Sequence, residues 1–125
     1  MLLFIALVSQ TRYNRAPSIQ ADIKLNAKLK KKFRAIGHRL NPAVTVGSNG
    51  LADSVLAELN RALDDHELIK VKILGGREER AVVIHELSIL EATEIVHTIG
   101  GVALIYRPAT EANPTLSNIR RAKLL

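Results

Sequence analysis

Residues 42 to 51 read Pro42-Ala43-Val44-Thr45-Val46-Gly47-Ser48-Asn49-Gly50-Leu51, and this stretch decides the fold. Ala43 to Val46 is a short β-branched run with the pattern of a buried strand, and it stops at Gly47. From Leu51 the spacing changes: Leu51, Val55, Leu59 and Leu63 recur at helical intervals, with Leu56 and Ala62 widening the stripe. Asp53 falls in the first helical turn, where the dipole favours an acid. A strand passing through four loop residues into an amphipathic helix marks an α/β chain.

Upstream, Leu25, Leu29, Phe33, Ile36 and Leu40 form one stripe of a helix that should stop between Gly37 and Asn41, because Pro42 disfavours the helical conformation in the residue before it. Downstream, Leu68, Lys70 and Lys72 alternate with Ile69, Val71 and Ile73, which predicts a strand with one polar face. After Gly75-Gly76, a third helix is expected from Arg77 to about Glu91, with Val83, Leu87 and Leu90 turned inward. Glu94 to Ile99 and Val102 to Arg107 both read as strands, joined by Gly100-Gly101 in a hairpin. The order is α-β-α-β-α-β-β, a compact two-layer or three-layer α/β sandwich with a four-stranded mixed sheet. The domain is expected over 23–108, after an N-terminal extension (1–22) and before a mobile C-terminal tail (109–125) with a basic end.

A chain of 125 residues suits one domain. The absence of cysteine excludes a disulfide scaffold, a cysteine-ligated zinc site and a thiol nucleophile, and fits a reducing compartment, so a cytoplasmic location is expected. The apolar run Met1 to Val8 lacks the positive flank and nearby cleavage site of a signal peptide. Eight residues are too few to span a bilayer, so no stable membrane insertion is expected.

The formal net charge of +6 is concentrated. Lys24, Lys28, Lys30, Lys31, Lys32, Arg34 and Arg39 all lie within 23–52, which holds no acidic residue, whereas the rest of the chain carries eleven basic and twelve acidic residues. A field focused in this way suits a polyanion better than a small neutral substrate. The loop Gly47-Ser48-Asn49-Gly50 offers the matching geometry. Glycines at both ends keep side chains out of the way of a sugar-phosphate chain, and the amides opening the next helix favour an anion. A G-x-x-G tetrapeptide alone is an ordinary turn. Between a strand and a helix, next to a basic helix, it matches the backbone-clamping loop of KH-type RNA-binding folds.

Four segments together carry a family resemblance: Leu40-Asn41-Pro42, Val46-Gly47-Ser48-Asn49-Gly50-Leu51, His66-Glu67-Leu68-Ile69-Lys70-Val71-Lys72 and Ile105-Tyr106-Arg107-Pro108. In this order they resemble the CRM domain (chloroplast RNA splicing and ribosome maturation) in its bacterial stand-alone YhbY-type form. The resemblance covers Leu25 to Pro108 and implies an RNA-binding α/β domain; for single-domain bacterial members it implies association with large ribosomal subunit precursors. It places RNA contacts on Gly47, Ser48, Asn49 and Gly50 and on the basic first helix at Lys28, Lys31, Lys32 and Arg34. Ala52 departs from the family, which often has a hydroxyl residue there, and the first 22 residues match nothing in it.

Enzyme chemistry finds no support in the residues. Ser48 lies outside a G-x-S-x-G elbow, and the loop lacks the lysine of a phosphate-binding P-loop. The histidines, His38, His66, His85 and His97, show no metal-ligand spacing and read as surface or packing residues. Among them His38, with Arg39 beside it in the basic segment, has the best claim to a phosphate contact. With Phe4, Tyr13, Phe33 and Tyr106 as the only aromatic residues, base stacking across a sheet is not available, so recognition should rest on backbone and shape. The expectation is a monomeric, non-enzymatic, cofactor-free protein that binds ribosomal RNA of a large-subunit precursor. The competing reading is an interaction module docking its basic helix on an acidic protein or an anionic membrane surface.

Overall fold

The computed structural model describes residues 25–122; the apolar run Met1 to Val8, Lys24 and Lys123 lie outside them. The elements are α1 (Ala27–Gly37), β1 (Pro42–Val46), α2 (Asp53–His66), β2 (Leu68–Ile73), α3 (Arg77–Ser88), β3 (Glu94–Ile99), β4 (Val102–Tyr106) and α4 (Asn118–Ala122). The sheet order is β1-β2-β4-β3. β1 and β2 are parallel, because α2 carries the chain back between them, while β2/β4 and β3/β4 are antiparallel. The mixed four-stranded α/β fold expected from the sequence is the one observed.

Both faces of the sheet are covered. On one, Val44, Val46, Ile69, Val71, Ile73, Ala103 and Ile105 pack with Leu59 and Leu63 of α2 and Val83 and Leu87 of α3. On the other, Leu68, Val96, Leu104 and Tyr106 pack with Leu25 and Phe33, joined by Leu29, Ile36 and Leu40, and by Ile119 of α4. The sandwich therefore has three layers, α1/α4, sheet and α2/α3. The polar face expected on β2 is only partly polar: Leu68 at its start is 0% exposed under α1, and polarity begins at Lys70 and Lys72.

Boundaries shift where local chemistry overrides periodicity. α1 begins after Asn26, whose Oδ1 accepts from Leu29 N–H at 2.8 Å. α2 begins at Asp53 rather than Leu51. α3 ends at Ser88, three residues earlier than the apolar spacing through Leu90 implied, and a turn follows in which Leu90 N–H donates to the Leu87 carbonyl. The largest difference lies beyond Pro108. The segment expected as a mobile tail folds onto the domain: Ser117 is fully buried, its Oγ donating to Glu67 Oε1 at 2.7 Å, and Asn118 Nδ2 donates to the Leu68 carbonyl at 2.6 Å. Polar composition suggested solvent, but these polar groups satisfy buried acceptors instead.

Candidate nucleic-acid interface

The helices sort the charge. α1 carries Lys28, Lys30, Lys31, Lys32 and Arg34, and α4 carries Arg120 and Arg121, with no acid on either. Across the sheet, α2 and α3 together hold Asp53, Glu58, Asp64, Asp65, Glu78, Glu79 and Glu86 against only Arg61, Arg77 and Arg80. The domain is thus electrostatically two-sided, a property hidden by the near-neutral balance outside the basic segment. Lys28, Lys31 and Lys32 point to solvent, while Phe33 and Gly37 are buried against the sheet.

Gly37 sets the height of α1 above the strands. A Cβ at this position would lie 2.8 Å from Leu104 Cδ2, so the end of the helix packs directly on the Leu104 side chain of β4, which would have to shift for any larger residue. That approach brings Arg34 and His38 to a groove of about 380 Å³ on the uncovered part of the sheet. Lys70 of β2 and His97 of β3 line the same groove, which contains no acidic side chain. Arg39, next in sequence to His38, turns elsewhere, into an apolar groove of about 610 Å³ between α1 and α4 that it shares with Arg121.

The Gly47–Gly50 loop caps the far end of β1. Gly50 N–H donates to the Gly47 carbonyl at 3.0 Å, closing a turn, and Leu74 N–H donates to the Val46 carbonyl at 2.9 Å, tying the loop to the end of β2. Gly50 has φ +64°, and no atom lies within 4 Å of a Cβ built at either glycine, so the loop backbone is open to an approaching chain. The helix end behind it is less inviting than expected. Ala52 provides no side-chain cap, and the Asp53 carboxylate already faces the positive end of the α2 dipole.

In the sheet register Lys70 stands opposite Pro42 at the start of β1, whereas Val102 and Ile99 are level with Lys72 and Thr45, two residues before Gly47, so the groove extends toward the loop end of the sheet. Lys72, exposed and paired with Thr45, stands between groove and loop on the same face as Lys70. Of the residues singled out in the sequence, Arg34 and His38 converge in one groove. Lys28, Lys31 and Lys32 lie on the outer face of α1, Arg39 in the α1/α4 groove, and Gly47, Ser48, Asn49 and Gly50 at the far end of β1. Lys70, on the polar face expected of β2, and His97, read as a surface or packing residue, complete the groove.

Among the described residues, no group of three histidine or acidic side chains is arranged to hold a metal ion, and no helix is long and apolar enough to cross a membrane. Phe33 and Tyr106 pack against each other inside, with ring centroids 4.8 Å apart, so neither presents a face for base stacking.

Comparison with known proteins bears on the same residues. The model of the CRS1/YhbY (CRM) domain matches residues 25–107. A probable RNA-binding protein of Pseudomonas aeruginosa is 48% identical over 98 residues, spanning 78% of this chain and 94% of the relative. An RNA-binding protein of Haemophilus influenzae is 43% identical over 89 residues, covering 70% of this chain and 90% of the relative. The solution structure of a candidate RNA-binding protein of Staphylococcus aureus superposes with a TM-score of 0.61 at 28% identity, covering 70% of this chain and 92% of that one.

Proposed function

We propose, from the premise that this chain belongs to the CRS1/YhbY (CRM) domain family, that it is an RNA-binding protein gripping structured RNA through the Gly47–Gly50 loop and the basic face of α1. The observation that carries this reading is the charge segregation: seven cationic side chains and no acid on α1 and α4, on the sheet face along which Lys72 leads to the open loop. Backbone amides and glycine openness at Gly47, Ser48, Asn49 and Gly50 suit phosphates. Lys28, Lys31, Lys32, Arg34, His38 and Arg39 supply the field. Buried aromatic rings favour recognition of backbone and shape over base stacking.

The protein acts by binding and not by catalysis, as a monomer in the cytoplasm. Its target is ribosomal RNA in a large-subunit precursor, an assignment that rests on the resemblance to bacterial single-domain members. Titration of a structured ribosomal RNA fragment over a salt series tests the RNA reading. With about four to six phosphates engaged, log K should fall against log salt with a slope of roughly −3 to −5. Absent or salt-insensitive binding would reject it. Co-migration with large-subunit precursors on a sucrose gradient tests the target, and migration only with free protein would reject that part.

A further inference from the structure

The groove beside α1 exists because β3 is irregular. Ile95 pairs with Ile105 and His97 with Leu104, so Val96 is an extra residue in the ladder. Ile95 packs with the α2/α3 side of the sheet and Val96 with the α1 side. Strict alternation would return His97 to the α2/α3 side. The bulge resets the phase, and His97 and Ile99 both line the α1-side groove while Thr98 pairs with Ala103 of the opposite core. Lys70 and His97 thus flank Leu104 on its two neighbouring strands. Ile99, 69% exposed, and Val102 form an apolar floor that ends at Leu104, which is buried beneath Gly37 of α1.

We propose that this groove is a second RNA subsite, which takes one unpaired nucleotide with its phosphate between Arg34 and Lys70 and its base against Ile99 and Val102. The proposal rests on the RNA-binding reading above and extends it. Volume, charge and floor agree on the occupant. About 380 Å³ is near the lower end of small-ligand sites. Arg34 of α1 and Lys70 of β2, with no acid in the lining, match a phosphodiester. An aliphatic floor offers nothing to the phosphate exterior of a duplex, but it covers the face of a base that has left its stack. The loop one strand away would hold the adjoining structured part, so the domain would read a junction between paired and unpaired RNA.

Binding of two RNAs by the full chain tests this: a blunt hairpin, and the same hairpin with a short single-stranded extension. The wild-type protein should prefer the extended hairpin by about tenfold, the scale of one phosphate contact together with burial of one base face on the aliphatic floor. Lys70→Ala combined with His97→Ala should abolish the preference while changing affinity for the blunt hairpin by less than about threefold. Ile99→Ser, an exposed and uncharged change that leaves the field intact, should do the same. Equal wild-type affinity for the two RNAs, or equal weakening of both by these variants, would overturn the subsite. If Gly47→Asp still weakens both RNAs in that case, the loop reading survives and only the groove is excluded. If the wild-type protein binds neither RNA, both readings fall. A groove made for an acidic protein side chain would leave the variants indistinguishable from wild type on both RNAs, which also overturns the proposal.

Discussion

Ser117 Oγ donates a 2.7 Å hydrogen bond to Glu67 Oε1 across fifty residues of sequence, and both side chains are buried. The other carboxylate oxygen, Oε2, accepts from Ala109 N–H at 2.8 Å, and the Glu67 carbonyl accepts from Arg107 N–H at 2.9 Å. Glu67 follows the last turn of α2 with φ +62°, a conformation that non-glycine residues adopt only when their surroundings require it. This residue therefore joins α2, the end of β4 and α4. Removing it strands one buried and one part-buried donor as well as losing charge-assisted bonds. Glu67→Ala should cost about 3–4 kcal/mol and Ser117→Ala about 1–2 kcal/mol. Urea denaturation reads the loss, and hydrogen exchange at residues 117–122 should quicken in both variants. Unchanged exchange there would mean that Ile119 and the Asn118 bond to Leu68 hold α4 without Glu67.

The glycines divide by their surroundings, which yields a control for the interface. A Cβ on Gly101 would meet the Ile73 carbonyl oxygen at 2.8 Å, a backbone atom that also accepts no easy displacement because Ile73 N–H donates to the Gly101 carbonyl. Gly101→Ala should cost about 1–3 kcal/mol, as overpacking does. A Cβ on Gly47 meets nothing within 4 Å, so Gly47→Ala should stay within about 0.5 kcal/mol of wild type. Gly47→Asp should keep the thermal midpoint and lose about tenfold in RNA affinity through repulsion of the phosphates. A Gly47→Asp protein that melts as the wild type does and binds RNA equally well would remove the loop from the interface.

The architecture was legible because its elements obey simple periods: the α1 stripe of Leu29, Phe33 and Ile36 and the alternation of β2 both follow from backbone geometry. Two features escaped for definable reasons. His97 reaches the groove only through the bulge at Val96, and a one-residue change of phase leaves no mark in local composition. The docking of Ser117 and Asn118 depends on acceptors supplied by Glu67 and Leu68, fifty residues away in each case. Polar residues at a chain end give no hint of such partners. The loop at Gly47–Gly50 was visible as a motif, but that β1, which leads into it, and β3, which carries His97, form opposite edges of the sheet needed the fold.

Arg107 shows why a basic residue in a shared motif need not touch RNA. Its guanidinium faces α2, where Nη1 donates to Asn60 Oδ1 at 2.9 Å and Nη2 to the Asn60 carbonyl at 3.0 Å. Nη2 also lies 3.2 Å from Asp64 Oδ1, whose side chain is 72% exposed, so that ion pair alone contributes little. Arg107→Ala should destabilise the domain by about 1–2 kcal/mol, mainly through the two bonds to Asn60. RNA affinity at constant salt should stay within about twofold. A loss of affinity as large as that of Gly47→Asp, with the fold intact, would place Arg107 in the interface after all.

Tyr106 sets an alkaline limit to stability. Burial beside Phe33 pushes its phenol up to about 12, and the Glu67 carboxylate adds to the shift by opposing a second negative charge. In the unfolded chain the phenol ionises near its ordinary value of about 10. Between these values the unfolded state binds fewer protons than the folded one, so stability must fall as pH rises through this window, by up to about 1.4 kcal/mol per pH unit. Below about pH 10 the group is protonated in both states and contributes no pH dependence. Tyr106→Phe keeps the ring contact and removes the ionising oxygen. The variant should therefore lose less stability between pH 9.5 and pH 11.5 than the wild type does in parallel urea titrations. Equal losses in the two proteins would show that the alkaline transition does not belong to Tyr106.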